Sequence, residues 1–314
     1  MKKKILKITL ICICFAFAIL AAGTILWLGP ATGVSKVSGV SGSAETAGTT
    51  ETSGGAEVTA GKETNVPAPE VSARGAILVD CSDGRVIYEK NADEKLYPAS
   101  TTKIMTAMVV FQILEETETT ADSYVSVPAD AVGVEGSSIY LKEGEKLTIR
   151  ELLYGMMLQS GNDAATALAI CCGGNLENFI VKMNRKAEEI GCVNTNFVNP
   201  SGLFDENHYT TARDLALIGR KAMENEEFRR IAGAESWESE ETGRSFANKN
   251  KTISQYDGAT GIKIGYTRLS GRTLVASAKR GETEFVAVVL NDSNWFNDAY
   301  TMLDYGFSQA EGNS

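Results

Sequence analysis

Apolar and polar residues alternate in two groups of short segments, one in the first third of the chain and one near its end. In the first group, residues 74–81 and 85–88 flank Ser82-Asp83-Gly84, which predicts two β-strands joined by a tight turn. The second group predicts three more strands separated by glycine-containing turns, at residues 261–267, 272–278 and 284–290. We therefore expect five strands.

The long stretch between these groups has the spacing of amphipathic helices. Thr148 and Glu151 have the spacing of a capping box before an apolar run, and Thr211 to Asp214 opens another helix. A break separates two helical patterns, at 149–158 and 163–171, and a last helix is predicted over 297–305.

Strands from both ends with helices between them predict an α/β fold of the α+β kind. We expect a mainly antiparallel five-stranded sheet, flanked by helices and carrying an inserted helical lobe. A small-molecule site is expected in the cleft between sheet and lobe.

The N-terminus has the features of an export signal. Four lysines within the first seven residues precede an uncharged, mostly apolar stretch at 8–28, which as a helix would rise about 31 Å and cross a bilayer. Residues 1–30 are therefore predicted to be a membrane anchor with its lysines inside the cell. A cleaved signal sequence is the alternative, and in both cases the remainder lies outside the cytoplasm.

Residues 31–70 hold twelve Ser and Thr, seven Gly and no aromatic residue, which predicts a flexible linker. Residues 71–314 are then expected to form one domain of two lobes.

Composition excludes some classes of function. The 30 Lys and Arg against 40 Asp and Glu give a net charge of −10, so nucleic acid is not expected as a partner. The cysteines form no Cys-x-x-Cys pair, and neither a metal site nor a cofactor is expected; they are Cys12, Cys14, Cys81, Cys171, Cys172 and Cys192.

Three short motifs carry candidate chemistry. Ser100 and Lys103 stand three residues apart at a predicted helix start, where the lysine amine could reach the serine hydroxyl and, with its pKa lowered by burial, accept the proton. Ser160 and Asn162 fall at the break between two helices, where they could line the cleft. Each pattern alone also fits an ordinary helix cap or turn.

The third motif is Lys263-Ile264-Gly265 on a predicted strand. Period-two alternation puts Lys263 and Gly265 on one face, so the lysine offers a cation and the glycine leaves room for a substrate chain. An edge-strand lysine beside a turn glycine is the structural alternative.

The order and context of these motifs resemble the D-alanyl-D-alanine carboxypeptidases of the low-molecular-mass penicillin-binding proteins, over about residues 72–308. The segments that carry the resemblance are 97–107 (YPASTTKIMTA), 158–165 (LQSGNDAA), 199–203 (NPSGL), 208–215 (HYTTARDL) and 302–307 (MLDYGF).

The resemblance implies that Ser100 attacks the bond between the last two D-alanines of a peptidoglycan stem peptide, with Lys103 as base and an acyl-enzyme intermediate. It also implies an oxyanion hole from the backbone N–H groups of Ser100 and Tyr266, and covalent inhibition by β-lactam antibiotics. The other positions implied to act on the proton or the peptide are Ser160, Asn162 and Lys263. Gly265 and Thr267, on the same predicted strand, are further candidate substrate-binding positions.

Two departures from the family pattern concern the substrate carboxylate. Ile264 stands where the family usually has a threonine, and segment 291–298 lacks an arginine that many relatives carry after the last strand. We expect a slower rather than an inactive enzyme, because Ser100, Lys103 and Lys263 are present; water or Thr267 could replace the missing hydrogen bond. We also expect attachment through the N-terminal helix, because the chain stops just after Phe307, before the C-terminal anchor of many relatives.

Three alternative functions would make different demands on the sequence. A Ser-His-Asp hydrolase would need His208, the sole histidine, and no Gly-x-Ser-x-Gly elbow is present. A class A β-lactamase would need a Glu-x-x-x-Asn segment between Asn162 and Lys263, and none is found. A degenerate homologue would bind wall peptide without efficient turnover, as Ile264 suggests.

Overall fold

The computed structural model describes residues 66–312. The predicted anchor at 1–30 and most of the predicted linker at 31–70 lie outside the described residues, as do Cys12 and Cys14. Within the described part, the chain forms neither helix nor strand before Gly75.

The strands of the described residues fall into one large sheet and two short hairpins. In chain order they are β1 (Gly75–Asp80), β2 (Val86–Lys90), β3 (Tyr124–Ser126), β4 (Lys146–Thr148), β5 (Ser236–Glu238), β6 (Ser245–Ala247), β7 (Ala259–Thr267), β8 (Gly271–Arg280) and β9 (Thr283–Leu290). The large sheet has the order β2-β1-β9-β8-β7, with every neighbouring pair antiparallel. The predicted five-stranded sheet is confirmed, and β7 forms one of its two edges.

The described helices are α1 (Lys103–Glu116), α2 (Ile149–Leu158), α3 (Asn162–Gly173), α4 (Leu176–Glu189), α5 (Ala212–Ala222), α6 (Glu226–Ala232), α7 (Thr252–Gln255) and α8 (Trp295–Gly312). Single 3₁₀ turns lie at Ala99–Thr102 and Ala129–Ala131. The break between α2 and α3 lies where predicted, and α8 is longer than its predicted span of 297–305.

Side chains from alternate strand positions enter two apolar layers. Leu78, Leu274 and Phe285 pack in the layer under α8. Ile77 and Val286 point to the opposite face, which α5 covers and which continues into the helical lobe. Helices α1 and α3 are apolar on most sides, and they are buried in that lobe.

The predicted capping box at α2 forms only in part. The Thr148 hydroxyl accepts from the Glu151 backbone N–H at 3.1 Å, as expected. The buried Glu151 carboxylate does not reach back to Thr148, because it accepts hydrogen bonds from the hydroxyls of Ser239 and Thr242 beside the β5–β6 hairpin. Tertiary donors therefore replace the local one.

Within residues 66–312, no single helix is long and apolar enough to span a bilayer, and only α3 and α4 together, bent by 91°, reach that length and composition. Cys81, Cys171, Cys172 and Cys192 are free thiols.

Candidate active site

Ser100 lies in a 3₁₀ turn wedged between the sheet and the lobe. The turn Ala99–Thr102 leads directly into α1, whose first residue is Lys103. Ala99 adopts a left-handed conformation, with φ of 48°, an unfavourable geometry for a residue with a Cβ. The serine is thus held at the start of α1, as the sequence predicted.

The Lys103 side chain is fully buried and surrounded by acceptors. Its Nζ lies 2.9 Å from Ser100 Oγ, 2.7 Å from Asn162 Oδ1 and 2.6 Å from the Ser201 carbonyl oxygen. Burial holds the pKa of Lys103 well below its ordinary value, and the nearby Lys263 ammonium lowers it further. The Lys103 amine can therefore be uncharged at a lower pH than an ordinary lysine.

Asn162 begins α3 and is fixed at both ends of its amide. Its Oδ1 accepts from Lys103, while its Nδ2 donates to the Glu135 carbonyl oxygen at 2.6 Å. Ser160, two residues earlier, is buried with a left-handed φ of 62°, and its hydroxyl has no hydrogen-bond partner among the described residues. The Ser160 hydroxyl is therefore available to a bound substrate.

Lys263 lies on β7 with its side chain 1% exposed, and its Nζ donates to the Ile264 carbonyl oxygen at 3.1 Å. Burial lowers the pKa of Lys263 to about 7, and the neighbouring Lys249 ammonium contributes to the shift. Lys249 also lowers the pKa of Lys103, so three lysine side chains converge on the cleft.

Gly265 lies directly against the turn that carries Ser100. A Cβ at Gly265 would come within 2.8 Å of the Ser100 backbone nitrogen and 3.1 Å of Ala99 Cβ. The Tyr266 N–H belongs to the peptide bond that follows Gly265, while the Tyr266 side chain is 64% exposed. The two amides proposed for the oxyanion hole are thus brought to neighbouring positions.

The remaining two β7 positions, 264 and 267, already make contacts of their own. The Thr267 hydroxyl lies 2.8 Å from Ser270 Oγ and accepts from the Ser270 N–H, so the turn to β8 already occupies it. Ile264 alternates away from Lys263 and packs against the apolar layer under α8. The roles expected of residues 264 and 267 toward a carboxylate stay predictions.

Sequence reasoning gave Ser201 no role in the site. The Asn199 side chain organises this loop, because its Oδ1 accepts from the backbone N–H groups of Ser201, Gly202 and Leu203. Gly202, at φ of 84°, packs so closely on Ala99 that a Cβ would clash with the Ala99 carbonyl. The Asn199-x-x-Gly202 turn was the available signal.

His208 is buried with both ring nitrogens engaged. Nδ1 accepts from the Val198 N–H at 3.1 Å, which leaves the proton on Nε2, 2.8 Å from Thr102 Oγ1. Desolvation lowers the pKa of His208 to about 4. Among residues 66–312 the imidazole hydrogen-bonds neither Ser100 nor a carboxylate, which argues against the Ser-His-Asp alternative.

The carboxylate of Asp163, next to Asn162 in the sequence, is already engaged in hydrogen bonds. Asp163 accepts from the backbone N–H groups of Ile139, Leu141 and Ala164 and from the Ser138 hydroxyl.

The site as a whole places the Ser100 hydroxyl next to the buried Lys103 amine, with backbone amides and the Lys263 side chain nearby. This arrangement is suited to acyl transfer.

Comparison with known proteins agrees with this geometry. Residues 62–294 match the sequence model of the family described as D-alanyl-D-alanine carboxypeptidase. The chain is 39% identical to D-alanyl-D-alanine carboxypeptidase DacF of Bacillus subtilis over 76% of its length and 63% of that protein's. It is also 39% identical to DacC of Escherichia coli, over 78% of this chain and 64% of the relative.

Among solved structures, the DD-transpeptidase of a Streptomyces strain superposes with a TM-score of 0.72 at 33% identity, covering 77% of this chain and all of the other. The chain thus spans slightly less than two thirds of the two curated relatives but the whole of this smaller one. With a family match over residues 62–294, the chain belongs to the D-alanyl-D-alanine carboxypeptidase family.

Proposed function

We propose that this protein is a serine-type D-alanyl-D-alanine carboxypeptidase acting on peptidoglycan stem peptides. Ser100 Oγ attacks the carbonyl carbon between the two D-alanines and loses its proton to Lys103. The bond to the terminal D-alanine breaks, its nitrogen takes up a proton, and an ester to Ser100 remains. Water then hydrolyses the ester and regenerates the serine.

The Lys103 contacts carry this proposal. A neutral amine has two hydrogens and one lone pair, and two of its three neighbours, Asn162 Oδ1 and the Ser201 carbonyl, can only accept. When both hydrogens are donated there, the lone pair faces the Ser100 hydroxyl at 2.9 Å. The geometry therefore supports Lys103 as the base.

The rest of the cleft supports the binding steps. The backbone N–H groups of Ser100 and Tyr266 would stabilise the oxyanion. Lys263 would orient the peptide and, with the exposed Lys249 nearby, attract the terminal carboxylate despite the net charge of −10. Asn162 would help to bind the peptide, and the Ser160 hydroxyl would relay the proton to the leaving group.

One further part of the proposal is supported by the family membership, and another by the N-terminal sequence. β-Lactam antibiotics would acylate Ser100, as in the penicillin-binding relatives. The predicted N-terminal anchor would hold the domain against the outer face of the cell membrane, where peptidoglycan lies; this rests on sequence alone.

The test is release of D-alanine from a pentapeptide ending in D-Ala-D-Ala by the purified full-length chain. Release, together with fluorescent penicillin labelling that Ser100→Ala abolishes, would support the mechanism. Labelling without release would favour the degenerate homologue, to which Ile264 points. Added glycine as acceptor would reveal transfer, the reaction named for the Streptomyces structure.

A further inference from the structure

A buried hydroxyl of the sheet is tied to the turn that presents Ser100. Thr273 on β8 is fully buried, and its Oγ1 donates to the Pro98 carbonyl oxygen at 3.1 Å. The same oxygen accepts from the Thr101 hydroxyl at 2.7 Å and from the Thr101 N–H at 3.3 Å. Donors from the sheet and from the turn thus converge on one carbonyl, two residues before the nucleophile.

The hydrogen bond from Thr273 to Pro98 gives a second reason why position 265 must be a glycine. Gly265 and Thr273 are directly paired between β7 and β8, and a Cβ on Gly265 would lie 2.4 Å from Thr273 Oγ1. Because position 265 has no side chain, Thr273 can reach across the edge strand to Pro98. The Thr273 hydroxyl therefore connects β8 to the Ser100 turn across the space left by Gly265 of β7.

The peptide unit restrained by this contact is the one that precedes a strained residue, Ala99. The Pro98 carbonyl belongs to the peptide bond entering Ala99, whose left-handed φ of 48° is strained for a residue with a Cβ. A strained residue persists when its surroundings fix it, here Thr273 and Thr101 on one side and Gly202 on the other. The conformation of Ala99 sets the direction of the Ser100 N–H, which lies against Gly265.

We propose that Thr273 is a positioning residue that aims the Ser100 backbone N–H into the oxyanion hole by restraining the Pro98 carbonyl. The inference rests on the proposed function, because only an acyl transfer needs that amide. The hydroxyl does not touch the reacting atoms, so its loss raises the barrier of the chemical step while substrate binding is retained.

The test compares Thr273→Val, which keeps the shape and removes the hydroxyl, with Thr273→Ser, which restores it. Ser277→Ala is the matched control, because Ser277 is also fully buried on β8 and its hydroxyl bonds Thr260 at 2.7 Å, away from the Ser100 turn. For the full-length chain, kcat and KM for D-alanine release, the rate of acylation by fluorescent penicillin, and Tm are measured.

We expect Thr273→Val to lower kcat and the acylation rate about tenfold, against the 10²–10³-fold known for outright loss of an oxyanion donor. KM of Thr273→Val should change less than twofold, and Thr273→Ser should recover most of kcat. Ser277→Ala should have a lower Tm than the wild type but an unchanged kcat. Wild-type kcat in Thr273→Val, or a loss that Thr273→Ser does not recover, would overturn the inference alone. A wild-type protein that neither releases D-alanine nor reacts with penicillin would overturn the proposed function, and the inference with it.

Discussion

Lys103 Nζ lies 2.9 Å from Ser100 Oγ, at the end of a side chain that is completely buried. A buried ammonium is costly unless paired, and no carboxylate bonds this nitrogen in the described residues. Its polar neighbours can hydrogen-bond the uncharged amine as well as the charged one. The contact therefore combines a nucleophile with a base that is deprotonated at lower pH than an ordinary lysine.

Replacing Lys103 should abolish turnover. In Lys103→Met the Ser100 proton has no acceptor, so D-alanine release should fall by about 10³-fold, within the range for loss of a general base. Labelling by fluorescent penicillin should fall in parallel. Lys142→Met, at an exposed lysine without an ion pair in the described residues, is the control and should keep full activity. Activity above a tenth of wild type in Lys103→Met would contradict the role.

The stability of the protein should rise with pH through the alkaline range because of Lys263. Its pKa is about 7 when folded and near 10.5 when unfolded, so between these values the unfolded chain binds more protons. The free energy of unfolding should therefore increase by up to about 1.4 kcal/mol per pH unit for this group. Urea unfolding between pH 7 and 10 measures the slope.

Lys263→Met should flatten that dependence, whereas Lys146→Met, at an exposed lysine on β4, should leave it unchanged. Lys103 also has a lowered pKa and adds a slope of the same sign, so part of the effect should survive in Lys263→Met. Equal slopes in wild type and Lys263→Met would show that Lys263 is charged in the folded state.

The sheet was readable from sequence because each strand has a strong local signal. The strand predicted at 261–267 is β7 at Ala259–Thr267, two residues longer at its start. The strand predicted at 284–290 is β9 at Thr283–Leu290, one residue longer at its start. The β5–β6 hairpin was missed, since each of its strands is only three residues long. The hairpin is held by a tertiary contact, in which the Trp237 ring stacks on the Tyr154 ring with 4.7 Å between the ring centroids.

The candidate site was predictable only where residue type carries the chemistry. Ser100, Lys103, Asn162 and Lys263 do converge, as the motifs indicated. The acceptor on Ser201 is a backbone carbonyl, which every residue has, so only the Asn199-x-x-Gly202 turn around it could have marked the position. Thr273 reads as an ordinary strand threonine until the register with Gly265 is known.

Gly265→Ala should inactivate the protein while leaving the fold in place. The new methyl would lie 2.4 Å from Thr273 Oγ1 and 2.8 Å from the Ser100 nitrogen, so the turn must shift. Gly281→Ala is a suitable control, because a Cβ there meets nothing within 4 Å, although its φ of 59° adds some strain. We expect at least about a hundredfold loss of kcat in Gly265→Ala, comparable to loss of an oxyanion-hole donor. Near-normal kcat would show that the cleft tolerates a side chain at this position.

Ile264→Thr should speed D-alanine release. The family usually has a threonine here, and a hydrogen bond to a charged carboxylate contributes about 1.5–3 kcal/mol, or roughly ten- to 150-fold. Because Ile264 packs under α8, the substitution also removes apolar contacts. Ile264→Val has the shape of threonine without its hydroxyl, so the ratio of Thr to Val activity isolates the hydroxyl. Activity in Ile264→Thr no higher than in Ile264→Val would contradict the expectation.

Acid should destabilise the protein through its single histidine, without His208 taking part in the reaction. The pKa of His208 is about 4 when folded and near 6.5 when unfolded, so the unfolded chain binds more protons between these values. The free energy of unfolding should fall as pH drops from 6.5 toward 4, by about 3 kcal/mol in total for this group. His208→Gln should reduce this dependence and lower stability at pH 7, since the Val198 and Thr102 contacts are disturbed. In the folded fraction, the shape of the pH profile of kcat should stay the same, because the ring contacts no reacting atom. A profile whose acid limb disappears in His208→Gln would instead place the imidazole in the proton transfer.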